Sequence, residues 1–296
     1  METFELSREL IERLTELISK RKNSAIKKII DGFHYADVAE IIDELDHDQA
    51  IYLIKLIDSD KTSDILTELD EDVREKILNT LSLKEIAGEI KEMDTDDAVD
   101  ILQELEEEER KVVIKQLPKA DRILVEEALS FPEESAGRLM QREFLAFPSN
   151  WTVGQTIDHM RAKPQEEEDS FYSIYVVDPA HRLLGVISLS KLLSAKRPVR
   201  LKDLMATSPR SVNVQTDQEE VALLFQQYGL VDMPVIDNIN RLLGVIIVDD
   251  IVDVINEEAE EDLQGLTGVS DLSISSSFIE NKDIKKLESS KDLATL

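Results

Sequence analysis

The run HYADVAEIIDEL (34–45), DHDQAIYLIKLI (46–57), DSDKTSDILTEL (58–69), DEDVREKILNTL (70–81), SLKEIAGEIKEM (82–93), DTDDAVDILQEL (94–105), EEEERKVVIKQL (106–117) and PKADRILVEEAL (118–129) is one twelve-residue pattern written eight times. Most blocks open on Asp, Ser, Glu or Pro, residues suited to a helix cap or first turn. Each closes on Leu, Ile or Met after apolar positions spaced i, i+3, i+4. One short helix per block is expected. Helices of this length are marginal alone, so neighbours must stack their apolar stripes as helix pairs with a 24-residue period. The product is a superhelix, a scaffold more suited to binding than to catalysis.

Upstream, METFELSRELIERL alternates charged and apolar residues and lacks the apolar core of a signal peptide, so it reads as an amphipathic helix. The longest apolar stretch, around Leu242 to Val248, is far shorter than the roughly 20 residues of a membrane span. No segment is expected to cross a bilayer, and the cytoplasm is the expected compartment.

The chain carries 63 Asp plus Glu against 34 Lys plus Arg in 296 residues, a formal charge of -29. That imbalance opposes compaction unless a counter-ion or cationic partner relieves it. Nucleic acid is not an expected partner, and neither is a bare anionic membrane surface. The absence of cysteine removes disulfides, thiolate zinc sites and cysteine nucleophiles together.

The charge is concentrated. Nine carboxylates and no basic residue lie between Asp94 and Glu109, and eight carboxylates and no basic residue between Asp249 and Asp262. Asp in a first turn suits the helix dipole and Glu on an exposed face is ordinary solvation, so these runs also fit a merely solvated surface. Asp96 and Asp100 stand out because i, i+4 spacing puts both on one helix face, where like charges repel unless something positive sits between them. In the second run Asp249, Asp250, Asp253, Glu257, Glu260 and Glu261 share one broad helix face opposite Ile251, Val252, Ile255, Ala259 and Leu263.

From about Ala136 the pattern changes to short β-branched runs separated by helices. GRLM (137–140) recurs as KDLM (202–205), and RLLGVIS (182–188) recurs as RLLGVII (241–247). The first copy is six residues longer, an excess assigned to a surface loop near Lys163 to Ser170. In each copy a helix precedes a strand, TVGQTIDHM then YSIYVVD and DQEEVALLFQQY then VDMPVID, an α+β unit in duplicate.

These two copies resemble tandem CBS domains. Together with the acidic helical repeat, the linking FPEESAGRLM and the following VDDIVDVINEEAEEDLQGL, they resemble the cytosolic region of MgtE-type magnesium transporters over roughly residues 25–269. The implied architecture is multidomain, α and α+β. It comprises an α-helical superhelical domain (1–135), a first CBS domain (136–199), a second (200–256), then an acidic connecting helix and polar tail (257–296). The resemblance implies a homodimer formed through the CBS domains, whose lobes close when Mg²⁺ is abundant so that a membrane pore domain shuts.

Transferred by position, the resemblance puts cation ligands at Asp96 and Asp100, at the Gly137 backbone carbonyl, and at Asp250 and Asp253. It puts Glu258, Glu261 and Asp262 at the contact with the connecting helix. A further family site at Glu219 is weakened because Gly229 follows Tyr228, and Glu219 also stands at capping-box spacing from Thr216. Magnesium prefers oxygen ligands, keeps much of its water and takes one or two carboxylates directly, so such sites should be weak. Negative side chains on separate lobes are expected to hold those lobes apart until dications fill the gap.

Adenine nucleotides, ATP or AMP, are the second candidate ligand. CBS domains that bind them carry Ser or Thr followed three residues later by Asp. Here Ser188 is followed by Lys191 and Asp250 is preceded by Ile247, so each copy keeps half of the signature and weak binding is expected. A third reading is a scaffold with no ligand. After Val269 the family continues toward membrane helices, whereas this chain continues as a polar tail with the expectation of disorder; the pore is therefore expected to be absent and the chain itself unable to transport.

No enzymatic motif is present. His34, His47, His159 and His181 show no metal-ligand spacing, and GxGxxG, GxxxxGK[ST] and GxSxG are missing. Thr152 and Gln155 beside Trp151 read as capping-box partners.

Overall fold

The computed structural model describes residues 6–57, 59–162, 171–252 and 254–255. The chain divides into two units, Met1–Ile251 and Val252–Leu296, and every element below belongs to the first. The extra loop expected near Lys163 to Ser170 lies outside the described residues.

Two helices, α1 (Arg8–Ser19) and α2 (Asn23–Ile30), precede the repeat. Each twelve-residue block then forms one helix: α3 (Tyr35–Asp43), α4 (His47–Ile54), α5 (Ser59–Thr67), α6 (Glu71–Leu78), α7 (Leu83–Ile90), α8 (Thr95–Glu104), α9 (Glu107–Gln116) and α10 (Lys119–Ala128). The opening residues cap as their chemistry dictates. Asp46 accepts the Gln49 N–H at 3.0 Å, and Ser82 and Glu85 exchange a reciprocal pair of 3.3 and 2.7 Å. His34 takes the same place, with its Nδ1 accepting the Ala36 N–H.

Helices two apart in sequence touch: α3 with α5, α5 with α7, α7 with α9, and likewise α4 with α6 and α8 with α10. This is the two-block period of a superhelix. One continuous core runs through it from Leu14 to Ala128, lined by Ile41, Ile42, Leu53, Ile65, Ile86 and Leu102. That shared core holds in place helices too short to persist alone.

A four-residue helix, α11 (Ala136–Leu139), leads into the β-containing half. The first copy contributes β1 (Ala146–Pro148), α12 (Val153–Ala162), β2 (Ser173–Val177), β3 (Leu183–Ser188) and α13 (Leu189–Ser194). The second contributes α14 (Leu201–Leu204), β4 (Ala206–Thr207), β5 (Val212–Asn213), α15 (Gln218–Tyr228), β6 (Asp232–Ile236) and β7 (Leu242–Ile247). In both, a parallel pair (β1 with β2, β5 with β6) is followed by an antiparallel one (β2 with β3, β6 with β7). Thr152 and Gln155 form the expected capping box at α12, with bonds of 2.9 and 3.3 Å.

The repeated LM and LGV segments answer each other across the two copies. After KDLM, β4 pairs with β3 of the first sheet; after GRLM, Gln141 pairs with Val245 of β7. A Cβ on Gly185 would stand 2.8 Å from Met205 Sδ, and one on Gly244 would stand 2.6 Å from Met140 Sδ. The glycine of each RLLGV strand is thus the slot for the other copy's methionine. Main-chain bonds from Leu183 to Asn240 (2.9 Å) and from Leu242 to His181 (3.0 Å) complete the join.

Candidate metal centre

The acidic run at residues 94–100 opens α8, and α8 is the repeat helix that meets the β-containing lobe through α11. Asp94 is the N-cap residue but makes no side-chain cap bond. The cap comes from the other lobe: Glu143 accepts the Thr95 hydroxyl at 2.7 Å and the Thr95 N–H at 3.2 Å, and also the Arg142 N–H at 2.7 Å. Arg142 extends the same seam, donating to the Leu243 carbonyl at 2.8 Å and standing 3.2 Å from Glu127 of α10. Arg138 of α11 reaches Gln103 of α8 at 2.8 Å. The lobes are docked.

Docking brings carboxylates of both lobes together. Burial pushes the Asp96 carboxyl well above the usual carboxylate range, and Asp250, Asp97, Asp94 and Glu143 push it further. Asp97 is raised to about 7, first by burial and then by Asp94, Asp100, Asp249 and Asp64. Asp250 is fixed at the start of the helical turn that follows β7, where it accepts the Ile247 N–H at 3.3 Å. Like charges this close and this desolvated demand protons or cations.

Asp100 behaves differently from Asp96, despite its i, i+4 spacing. It is drawn to Arg74 of α6, whose Nη2 stands 3.0 Å away while its Nε donates to Glu104 at 2.6 Å. Arg74 is 6% exposed and also reaches the Thr67 carbonyl. Asp100 is among the groups that raise Asp97.

The other expected site residues are scattered. Gly137 places its N–H 2.9 Å from the Val214 carbonyl, and a Cβ there would stand 2.6 Å from Phe131 Cγ, so close packing alone demands glycine. Glu219 is exposed on the first turn of α15. The expected Thr216 to Glu219 capping box does not form: Asp217 caps α15, accepting the Glu219 N–H at 3.0 Å, while the Thr216 hydroxyl accepts from Asn213. The chain enters the helix one residue later than the spacing suggested. Ser188 is exposed at the start of α13, its hydroxyl 3.1 Å from that of Ser190. Asp253, Glu258, Glu261 and Asp262 lie outside the described residues.

Asp97, Asp249, Glu143, Asp64 and Arg74 belong to the assembled site without having been singled out from sequence. Among the described residues, no three Asp, Glu or His side chains converge tightly enough to grip an ion as they stand. The donor set is wholly carboxylate oxygen, which fits a hard, partly hydrated dication such as Mg²⁺ and does not fit zinc.

A helical-repeat domain docked on a tandem CBS pair defines the class. Residues 33–134 match the MgtE intracellular N domain, and residues 136–197 and 201–257 each match the CBS domain. The magnesium transporter MgtE of Thermus thermophilus is 38% identical over 148 residues, 50% of this chain and 33% of that protein. Its Enterococcus faecalis counterpart is 37% identical over 145 residues, 49% and 32%. The matched stretch therefore spans about a third of these relatives' length. Among solved structures, the cytosolic domain of the Mg²⁺ channel MgtE in complex with ATP superposes with a TM-score of 0.77 at 30% identity, covering 82% of this chain and 99% of that one. The soluble part of a magnesium transporter gives 0.75 at 28% identity, covering 85% and 98%. The chain belongs to the MgtE family. Among the described residues no helix is long and apolar enough to cross a membrane.

Proposed function

We propose that this chain is a non-enzymatic, Mg²⁺-sensing regulatory region of an MgtE-type transporter, acting at the cytoplasmic face as a CBS-linked homodimer and closing to shut a membrane pore domain. The observation that supports this reading is the seam where Glu143 caps α8 at Thr95, beside which Asp96 of the helical lobe meets burial and the like charge of Asp250 of the CBS lobe, both opposing its ionisation. At neutral pH that contact persists only if positive charge enters it. Weakly held dications would supply the charge in proportion to their abundance. Asp253, Glu258, Glu261 and Asp262 are proposed as further cation ligands on the family resemblance alone, and the Gly137 carbonyl would offer a further oxygen.

One site filled at a few-fold above its dissociation constant stabilises the bound form by only about 1 kcal/mol. Carrying a population from mostly open to mostly closed takes about 5.5 kcal/mol. Several sites must act together, which gives a physical use to so many carboxylates. Small-angle scattering across a millimolar Mg²⁺ titration tests the reading. Compaction with protection of the segment near Ala136 from protease is expected, and an unchanged profile rejects it.

Adenine-nucleotide binding is a second reading, favoured by the likeness to a relative solved in complex with ATP. Calorimetry with ATP and AMP in Mg²⁺-free buffer decides it. Tight heat that vanishes with Asp250→Ala supports nucleotide control, and silence rejects it.

A further inference from the structure

Arg74 occupies the fifth place of its twelve-residue block. In other blocks that place holds Val38, Ala50, Thr62, Ile86 and Ala98, all buried in the superhelix, and Arg110 and Arg122, both only partly buried. Of the three arginines at this register Arg74 is the buried one, and burying a guanidinium is costly by default. Buried ion pairs are commonly no more stabilising than well-packed apolar residues of similar volume, so packing alone gives no reason for an arginine here. Its fork is nonetheless well made, with one arm on Glu104 at 2.6 Å, another on Asp100 at 3.0 Å and a longer bond to the Thr67 carbonyl at 3.4 Å.

The two carboxylates differ. The Glu104 side chain is 19% exposed and faces inward, whereas the Asp100 side chain is 59% exposed at the edge of the acidic cluster, where it acts on Asp97. Glu104 anchors the guanidinium. Asp100 is the partner that can leave it, because solvent can replace the lost bond.

We infer that Arg74 is a tethered counter-ion that competes with the dication for Asp100 and thereby sets the cation concentration at which the lobes close. This rests on the Mg²⁺-sensing reading and adds its regulation. With Arg74 in place, one negative charge of the cluster is already answered, and a cation gains Asp100 only by displacing a bound guanidinium. Weakening that competitor should make the lobes close at lower cation concentration.

The test uses the full chain and Mg²⁺ alone, read by small-angle scattering. Arg74→Gln by itself leaves Glu104 charged and half-buried, so R74Q/E104Q is the informative variant: it keeps net charge constant, and a glutamine pair can hydrogen-bond in its place. The expected result is a Mg²⁺ midpoint lowered by at least about threefold. Arg74→Lys, which keeps the charge, should stay within about twofold of the unaltered chain. In a D100N background, R74Q/E104Q should shift nothing. A merely structural arginine would lower thermal stability in both backgrounds and leave the midpoint alone. An unchanged or raised midpoint in R74Q/E104Q overturns the inference, as does a shift that persists in D100N. A complete lack of Mg²⁺ response in the unaltered chain overturns the sensing reading and this one with it.

Discussion

Replacing Asp97 by Asn should allow the lobes to close without a divalent cation. The docked environment raises the Asp97 carboxyl from the ordinary 3.8 to about 7. At pH 8 the group is ionised in either state, and holding it ionised in the folded site costs about 4 kcal/mol, of which docking supplies only the part due to burial at the seam and to Asp249, since Asp94, Asp100 and Asp64 belong to the helical lobe. Asparagine nearly matches the shape and removes that term, although it also removes one prospective oxygen ligand. Taking about half of it, or about 2 kcal/mol, as the docking share gives a factor of roughly thirty, enough to carry a population that is about 1% closed to about a quarter closed. The measurement is the scattering profile of Asp97→Asn in chelator at pH 8, beside Glu109→Gln as a control of equal charge change at an exposed position of α9. The expected outcome is an ion-free D97N profile shifted toward that of the Mg²⁺-saturated unaltered chain, with E109Q still open. If D97N and E109Q behave alike, net charge and not the Asp97 environment governs closure, and the reasoning fails.

Acid should mimic magnesium. A carboxyl whose docked value lies above its exposed value holds its proton better when docked, so this contribution favours docking at low pH and is lost as pH rises through about 7 for Asp97; ion-free compaction between pH 8 and 6 is expected, and a flat profile contradicts it. Thr95→Val preserves shape but removes the 2.7 Å bond to Glu143, a charge-assisted bond worth about 2 kcal/mol. It should raise the Mg²⁺ midpoint and speed amide exchange at the start of α8, although the Thr95 N–H still bonds Glu143, and exchange and midpoint both identical to the unaltered chain would rule out a stabilising role for the hydroxyl bond. Gly137→Ala forces a Cβ to 2.6 Å from Phe131 Cγ, whereas Gly88→Ala in α7 meets nothing within 4 Å. Calorimetric melting should fall for the first by an amount equivalent to about 1–3 kcal/mol and rise slightly for the second; equal shifts would contradict the packing account.

The helical half was legible because its determinants are local. Twelve residues suffice to specify a cap, an apolar stripe and a stop, and Asp46, Ser82 and the closing leucines act within one turn of where they stand. The β-containing half was legible as a duplication, yet its closure was hidden. Nothing local says that Met140 fills the slot over Gly244, or that Met205 fills the one over Gly185, because each contact joins one copy to the other. The failed Thr216 to Glu219 box shows the limit of spacing even at short range. Asp217 follows immediately and offers a cap whose carboxylate already reaches the Glu219 N–H, so the nearer and stronger acceptor fixes where α15 begins.

The acidic site divides along the same line. Composition marks both carboxylate runs, and the family resemblance chooses Asp96 and Asp250 within them, but the partners that give Asp96 its character arrive through tertiary structure. Glu143 carries no signal in its own neighbourhood, since its role exists only once Thr95 is beside it. Arg74 was partly legible. Aligning the blocks places Arg74, Arg110 and Arg122 where Val38, Ala50, Ile86 and Ala98 are buried, and a guanidinium buried there must find carboxylates within reach. Asp100 and Glu104 lie on α8, two blocks on, and the superhelix sets helices two apart in contact. Aligned blocks therefore mark three arginines, and only the superhelical packing, which buries Arg74 and leaves Arg110 and Arg122 partly exposed, singles out the one that points to the helix carrying the acidic face.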